Sequence, residues 1–315
     1  TALVISFGSL VMGLFRIVEK VGSKDGPHLL VTAAVHGDEY EGVEALRRLI
    51  REVDPEKLTG RLTVVPVVNE SAHGRGERVG EDELDLARTF PGSPDGSHTE
   101  RVAYELAKLI RASDYYIDLH SGGQALRVEP LVGYMLVSDP IVLDKQRRMA
   151  NVFGLPTVWG TSSSLDGRSL SVARDAGVPA IYAEYLGAGE CSTDGVEAYV
   201  SGCYNVMDQI GLISRPPAQP ISPERVIEDP RPSSGHLQIR HPSPARGVFA
   251  AYVALGHSVT TGAILGHVTG SSDGKRHPIQ ADSTGRVICL RVNPGVEKGD
   301  SLAVILEADP TMSKA

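Results

Sequence analysis

Cysteine is scarce in this 315-residue chain: Cys191, Cys203 and Cys289 make an odd number with no CxxC spacing. That excludes a disulfide framework and a cysteine-type zinc site, and it fits a reducing, cytoplasmic setting. Dense basic blocks are also missing. With 31 Lys and Arg against 39 Asp and Glu, the net charge is −8, which argues against a protein that grips a nucleic-acid backbone. Long apolar runs are absent too: the most apolar opening stretch, Thr1 to Val18, is broken by Gly8, Ser9, Gly13 and Arg16 and has no charged n-region. Neither a leader peptide nor a membrane span is expected from it. No repeat of solenoid period occurs, and no GxSxG elbow offers a nucleophilic serine. What is there is ordinary for a folded chain, 41% hydrophobic and 22% charged, with length enough for about two domains.

The first two-thirds alternate strand-like and helix-like segments. Leu29 to Val35 (LLVTAAV) reads as a strand buried on both faces, and Tyr40 to Val53 as an amphipathic helix with Val43, Leu46, Leu49 and Ile50 on one face. Leu62 to Val68 reads as a strand blemished by Pro66. Thr99 to Ala112, Pro140 to Phe153 and Ser169 to Ala176 read as helices, Tyr115 to Leu119 and Ala180 to Glu184 as strands. The expected fold is α/β, with a mixed, mainly parallel central sheet flanked by helices on both faces. Residues 1–215 form this unit. A proline-rich linker or crossing segment follows at 216–232, and 233–315 reads as a smaller all-β domain of short, glycine-separated strands.

Three strand ends carry chemistry. His36-Gly37-Asp38-Glu39 closes the LLVTAAV strand, and an imidazole and a carboxylate three apart at a strand-to-helix turn can both point into the crevice beyond the strand. Alone, HxxE serves equally well as a solvated pair at a helix start. Asp118-Leu119-His120 ends a second strand, so His120 leaves the sheet at the same edge if the two strands run parallel. Asp118 shares its face and either orients His120 or caps a turn. Glu184 closes the third strand, and a carboxylate on so apolar a segment is costly unless it serves an open site. Together they would supply two histidines and a glutamate to a divalent metal, with a second carboxylate able to take a proton from water.

The ordered segments HGDEYEG, NESAHGRGER, LDLARTFPG, YYIDLHSGG and PAIYAEYLG resemble the motifs of the succinylglutamate desuccinylase/aspartoacylase family, zinc amidohydrolases related to zinc carboxypeptidases. The likeness runs from about Leu29 to Leu212 and leans to the branch with N-acetyl-diaminobutyrate deacetylases. It implies one zinc ion per chain held by His36, Glu39 and His120, with Glu184 as the general acid/base of zinc-activated water. It implies Arg78 as oxyanion stabiliser, Arg88 as the holder of a substrate carboxylate, and Asn69 and Tyr185 as further substrate contacts. The chain departs from the family in one place: Ala87 stands where the motif reads Asn before Arg88, which puts in doubt a standard α-carboxylate on the ligand. The expected activity is removal of an acyl group from a small N-acyl amino acid or related amine. A metallocarboxypeptidase and a non-catalytic binding protein on the same scaffold are the alternatives.

Other polar residues invite less. His73, His98, His236, His241, His257, His267 and His277 have no partners at ligand spacing, and Arg127 follows the SGGQAL loop. Gly160 to Ser171, with Arg168 and Ser169, reads first as an ordinary flexible connection, with part of a substrate pocket as the alternative. The C-terminal segment resembles a biotinyl/lipoyl-like β-fold, but Lys275 lacks the flanking methionines of a carrier lysine, so no covalent cofactor is expected. A homo-oligomer is compatible with the family likeness; a nucleic-acid or membrane partner is not expected.

Overall fold

The computed structural model describes residues 9–216, 222–232, 234–237, 239–272 and 274–307, with side chains from residue 13. Part of the opening stretch (1–8) and part of the proline-rich segment (217–221) lie outside the described residues. The first part runs β1 (Ser9–Met12), β2 (Phe15–Val21), β3 (Lys24–Ala33), α1 (Glu41–Glu52), β4 (Thr59–Val65), α2 (Glu70–Arg75), α3 (His98–Arg111), β5 (Tyr115–His120), β6 (Leu126–Leu136), α4 (Pro140–Phe153) and β7 (Thr157–Ser162). There follow α5 (Ser169–Ala176), β8 (Ala180–Gly187), α6 (Thr193–Gln209), β9 (Arg225–Glu228), β10 (Gly247–Ala251), β11 (Ser258–Val259), β12 (Ile264–Gly270), β13 (Arg276–Gln280), β14 (Gly285–Arg291), β15 (Gly295–Val296) and β16 (Ala303–Leu306).

The main sheet is mixed with a parallel centre. Its order is β1, β2, β4, β3, β5, β8, β6, β14, β11, with β7 beside β6, β9 beside β7 and β16 beside β14. Strands β4, β3, β5 and β8 run parallel, and β6 returns antiparallel to β8. Burial follows the period of two that a sheet covered on both faces requires. Leu29, Val31, Ile117, Leu119, Ile181 and Ala183 pack toward α1, α4 and α6. Leu30, Tyr116 and Ala180 pack on the other face, toward α3 and α5.

Pro66 does not blemish a strand; β4 stops at Val65, one residue before it. The chain also holds elements beyond those legible in the sequence, among them β6, β7 and α6. A second sheet of four antiparallel strands, in the order β13, β12, β10, β15, lies in the C-terminal part. β14 of that part pairs antiparallel with β6, Cys289 opposite Val128, so the main sheet runs on into the C-terminal residues.

Candidate active site

The parallel register sets the site. Ala33 of β3 pairs with Leu119 of β5, and His120 pairs with Glu184 of β8, so three parallel strands bring their carboxyl-terminal parts to one edge. Paired residues on neighbouring strands share a face, and Asp118, His120, Tyr182 and Glu184 therefore lie on the α3/α5 side. His36 and Glu39 arrive from the turn beyond β3, where Ala34 takes a left-handed φ of 51°. Gly37 has no alternative there: a Cβ on it would sit 2.0 Å from the carbonyl carbon of Ala72. Side chain and backbone can both crowd this turn only because residue 37 has no side chain.

His36, Glu39 and His120 converge. One donor atom from each lies within 4.8 Å of those of the other two. His36 Nδ1 is 2.6 Å from Glu39 Oε1 and His120 Nδ1 is 3.1 Å from Glu39 Oε2. The opposite nitrogen of each ring meets an aspartate: His36 Nε2 lies 3.3 Å from Asp85 Oδ1, and His120 Nε2 lies 3.1 Å from Asp118 Oδ2. Carboxylates behind the rings fix imidazole orientation and tautomer, the arrangement that metal-binding histidines use. Asp118, fully buried, also accepts from Thr32 Oγ1 at 2.7 Å and Ser169 Oγ at 2.5 Å.

The electrostatics are those of a cation site. Burial works against the charge of Glu39, but the two imidazoles hold its carboxyl down at about 2. Burial also disfavours an imidazolium at His120, yet Asp118 and Glu39 raise its pKa well above the usual histidine range. A field that keeps a proton on a buried ring equally favours a metal ion in its place. Two imidazole nitrogens and one carboxylate are a donor set that suits zinc with a position left for water or substrate.

Glu184 stands beside this cluster and is not part of it. Its Oε2 is buried without a hydrogen-bond partner. Burial pushes its carboxyl up to about 8, helped by the negative charge of Glu39 and Asp118 and opposed by His120 and Arg78. A cavity of about 670 Å³, its open mouth included, is lined by His36, His120 and Glu184 together with Arg78, Arg88 and Arg168. Arg78 Nη2 donates to Asp85 Oδ2 at 2.9 Å. Arg88 sits exposed at the rim, beside Ala87, whose carbonyl accepts from its Nη1 at 2.7 Å.

Not every expected contact belongs to the cavity. Tyr185 follows Glu184 by one residue and so points to the opposite face, where its ring meets Tyr199 at 6.2 Å between centroids. Asn69 caps α2, accepting from Ala72 N at 3.1 Å, and does not line the cavity. The segment Gly160 to Ser171 is no mere connection: Thr161, Leu165, Arg168, Ser169 and Leu170 form one wall. Asp85, unremarked in the sequence, ties His36 to Arg78, and its place in LDLARTFPG was the available signal. Gly235 and Leu237, beyond the proline-rich segment, close the cavity from another side.

The family model of the succinylglutamate desuccinylase/aspartoacylase catalytic domain matches residues 25–210. The chain belongs to that family. Among family relatives, the N-alpha-acetyl-L-2,4-diaminobutyric acid deacetylase of Halomonas elongata is 32% identical over 292 residues, covering 90% of this chain and 83% of that one. The product-bound ectoine utilization protein EutE (DoeB) of Ruegeria pomeroyi superposes with a TM-score of 0.83 at 27% identity, covering 92% of this chain and 88% of that one. A succinylglutamate desuccinylase/aspartoacylase of Rhodobacter sphaeroides gives 0.81 at 26%, covering 93% and 89%. The desuccinylase/aspartoacylase fold thus extends through the C-terminal strands of this chain, well beyond residue 210. Among the described residues, no helix is long and apolar enough to cross a membrane.

Proposed function

We propose that this chain is a zinc-dependent deacylase that hydrolyses the amide of a small N-acyl amino acid. The observation that carries the reading is the meeting, at one sheet edge, of a His36–Glu39–His120 donor set with the unpartnered buried carboxyl of Glu184. The deacetylase and desuccinylase relatives support it.

His36, Glu39 and His120 would hold the metal, with Asp85 and Asp118 keeping the rings in place. A zinc ion bound there would supply Lewis acidity, to polarise the acyl carbonyl and to acidify water toward neutral pH. Glu184 takes a proton from the attacking water as the new C–O bond forms. It then gives that proton to the amine nitrogen as the C–N bond breaks, leaving a carboxylic acid and a free amine, which part as carboxylate and ammonium at neutral pH. A carboxyl raised into the neutral range can do both near pH 7, whereas one at the ordinary value would be a poor acid there. Arg78, already in the cavity wall, offers guanidinium N–H groups to the oxygen that becomes negative. Arg88 at the mouth suits a carboxylate on the amine part.

The test is release of free amine from N-acetyl, N-succinyl and N-formyl amino acids and from dipeptides, before and after a chelator. Chelator-sensitive turnover of an acyl amino acid is expected. Glu184→Ala should keep the metal and lose about 10²–10⁴-fold in kcat. Preference for dipeptides would replace the reading by a carboxypeptidase. Near-normal activity of Glu184→Ala would remove Glu184 from its role.

A further inference from the structure

Asp118 holds the ring of His120 from the cavity side, and a second group holds the same residue from behind. The hydroxyl of Tyr199, on α6, donates to the main-chain carbonyl of His120. Tyr199 is fully buried in the core on the α1, α4 and α6 face of the sheet. The cavity lies on the α3 and α5 side, and Tyr199 does not line it. Its ring is set by its neighbours: Phe153 and Tyr185 meet it edge-on, each at 6.2 Å between centroids. A buried phenol has to place its O–H on an acceptor. Here the acceptor belongs to one of the three residues proposed to hold the metal.

The contact falls at a joint in the main chain. Before it, β5 is fixed in the parallel ladder, with His120 opposite Glu184. After it, the loop is fastened through its backbone: Gly122 N donates to Leu186 O at 3.0 Å, Gln124 N to Asp38 Oδ2 at 2.8 Å, and Gly189 N to Gly123 O at 2.8 Å. The peptide between His120 and Ser121 links these two fastened parts. Tilting that peptide moves the Cα–Cβ bond of His120, and the imidazole enlarges the movement at its far end. Metal donors have to be held to within about 0.5 Å of their place. The Tyr199 hydroxyl on the carbonyl oxygen and Asp118 on ring Nε2 hold the residue at two points, from opposite faces of the sheet.

We infer that Tyr199 is a positioning residue for the metal, acting through the main chain of His120 and touching neither metal nor substrate. The inference rests on the deacylase reading and deepens it by naming a residue behind the site.

The experiment measures zinc Kd on the full chain, by competition against a chromophoric chelator, for the wild type, Tyr199→Phe and Cys203→Ala. The first variant removes the hydroxyl and keeps the ring. The second thins the same fully buried core one helical turn away and leaves the hydroxyl in place. Tyr199→Phe should raise the zinc Kd about tenfold and shift the visible absorption bands of the cobalt(II)-loaded chain, which report ligand geometry. Cys203→Ala should lower the urea midpoint and leave both the zinc Kd and the cobalt bands as in the wild type. An unchanged zinc Kd with unchanged cobalt bands in Tyr199→Phe overturns the inference and leaves the deacylase reading standing, because the hydroxyl then serves packing alone. Equal changes in both variants also overturn it, since they report a general loosening of that core. A wild type that binds neither zinc nor cobalt removes the deacylase reading and this inference with it.

Discussion

Replacing Asp118 tests whether the carboxylates behind the imidazoles contribute to metal binding. Asp118→Asn keeps the shape of a side chain that is fully buried, so the fold should survive. The amide can turn its nitrogen toward Thr32, whose hydroxyl can accept as well as donate, and keep its oxygen toward Ser169 and His120. What changes is the charge. A hydrogen bond to a carboxylate is worth about 1.5–3 kcal/mol and one to a neutral acceptor about 1 kcal/mol. The difference, roughly 1.4 kcal/mol, is a tenfold weaker hold on the ring and a tenfold higher zinc Kd. Asp118→Ala leaves His120 Nε2 and two hydroxyls without their acceptor and should cost about a hundredfold. The assay is competition for zinc against a chromophoric chelator near pH 7.5, with amine release at saturating zinc as second readout. Equal zinc affinity in the wild type and both variants would refute the reasoning, because the position would then be structural only.

His120→Ala should lose most of its zinc, measured by metal content after dialysis; full occupancy in that variant would contradict its assignment as a ligand. Gly37→Ala drives a methyl group to within 2.0 Å of the Ala72 backbone, and urea unfolding should show a loss of about 1–3 kcal/mol together with reduced activity; an unchanged midpoint would mean that the turn relaxes freely. Asp82 accepts from Thr99 N and Oγ1 at the start of α3; burial would raise its carboxyl, but those bonds hold it at about 2. A depressed carboxyl stabilises above its unfolded value near 4 and ceases to do so as pH falls through about 2. Asp82→Ala should therefore be less stable by about 1 kcal/mol at pH 7, with the deficit shrinking as pH falls from about 4 through about 2, read from thermal midpoints across that range.

Where the sequence pattern spoke plainly, the structure agrees closely: α4 and α5 occupy the spans their periodicity marks, because an aspartate before Pro140 and a glycine after each helix punctuate them. The missed elements are those in which tertiary packing overrides local preference. α6 contains Gly195 and Gly202, poor helix formers, yet a Cβ at Gly202 would fall 2.5 Å from the ring of Phe153, so the glycine lets α4 and α6 approach. β6 contains Pro130, which reads as a strand breaker. The register against β8 shifts between Val128 and Leu131, and the irregularity accommodates it. The same contrast divides the site. His36, Glu39, His120 and Glu184 were legible as candidates because they lie near or just beyond the carboxyl ends of apolar strands, and polar groups there need a reason. Asp85 and the Arg168 wall were not, because each acts through residues distant in sequence and only the folded chain brings them together. Tyr185 shows the effect of strand alternation: adjacency to Glu184 places it on the opposite face, against Tyr199.

The pairing of β14 with β6 has a bearing on how this protein can be cut and recombined. A fragment ending at residue 210 would contain every residue proposed to hold the metal and the whole span matched by the family model. It would also leave the 126–128 stretch of β6 with bare backbone donors and acceptors, a template for joining another chain edge to edge. Its reaction chamber would lack the side supplied by Gly235 and Leu237. Grafts that exchange the C-terminal part between family members would thus replace both a sheet seal and a piece of the chamber wall, and a swap made for solubility would retune selectivity at the same time.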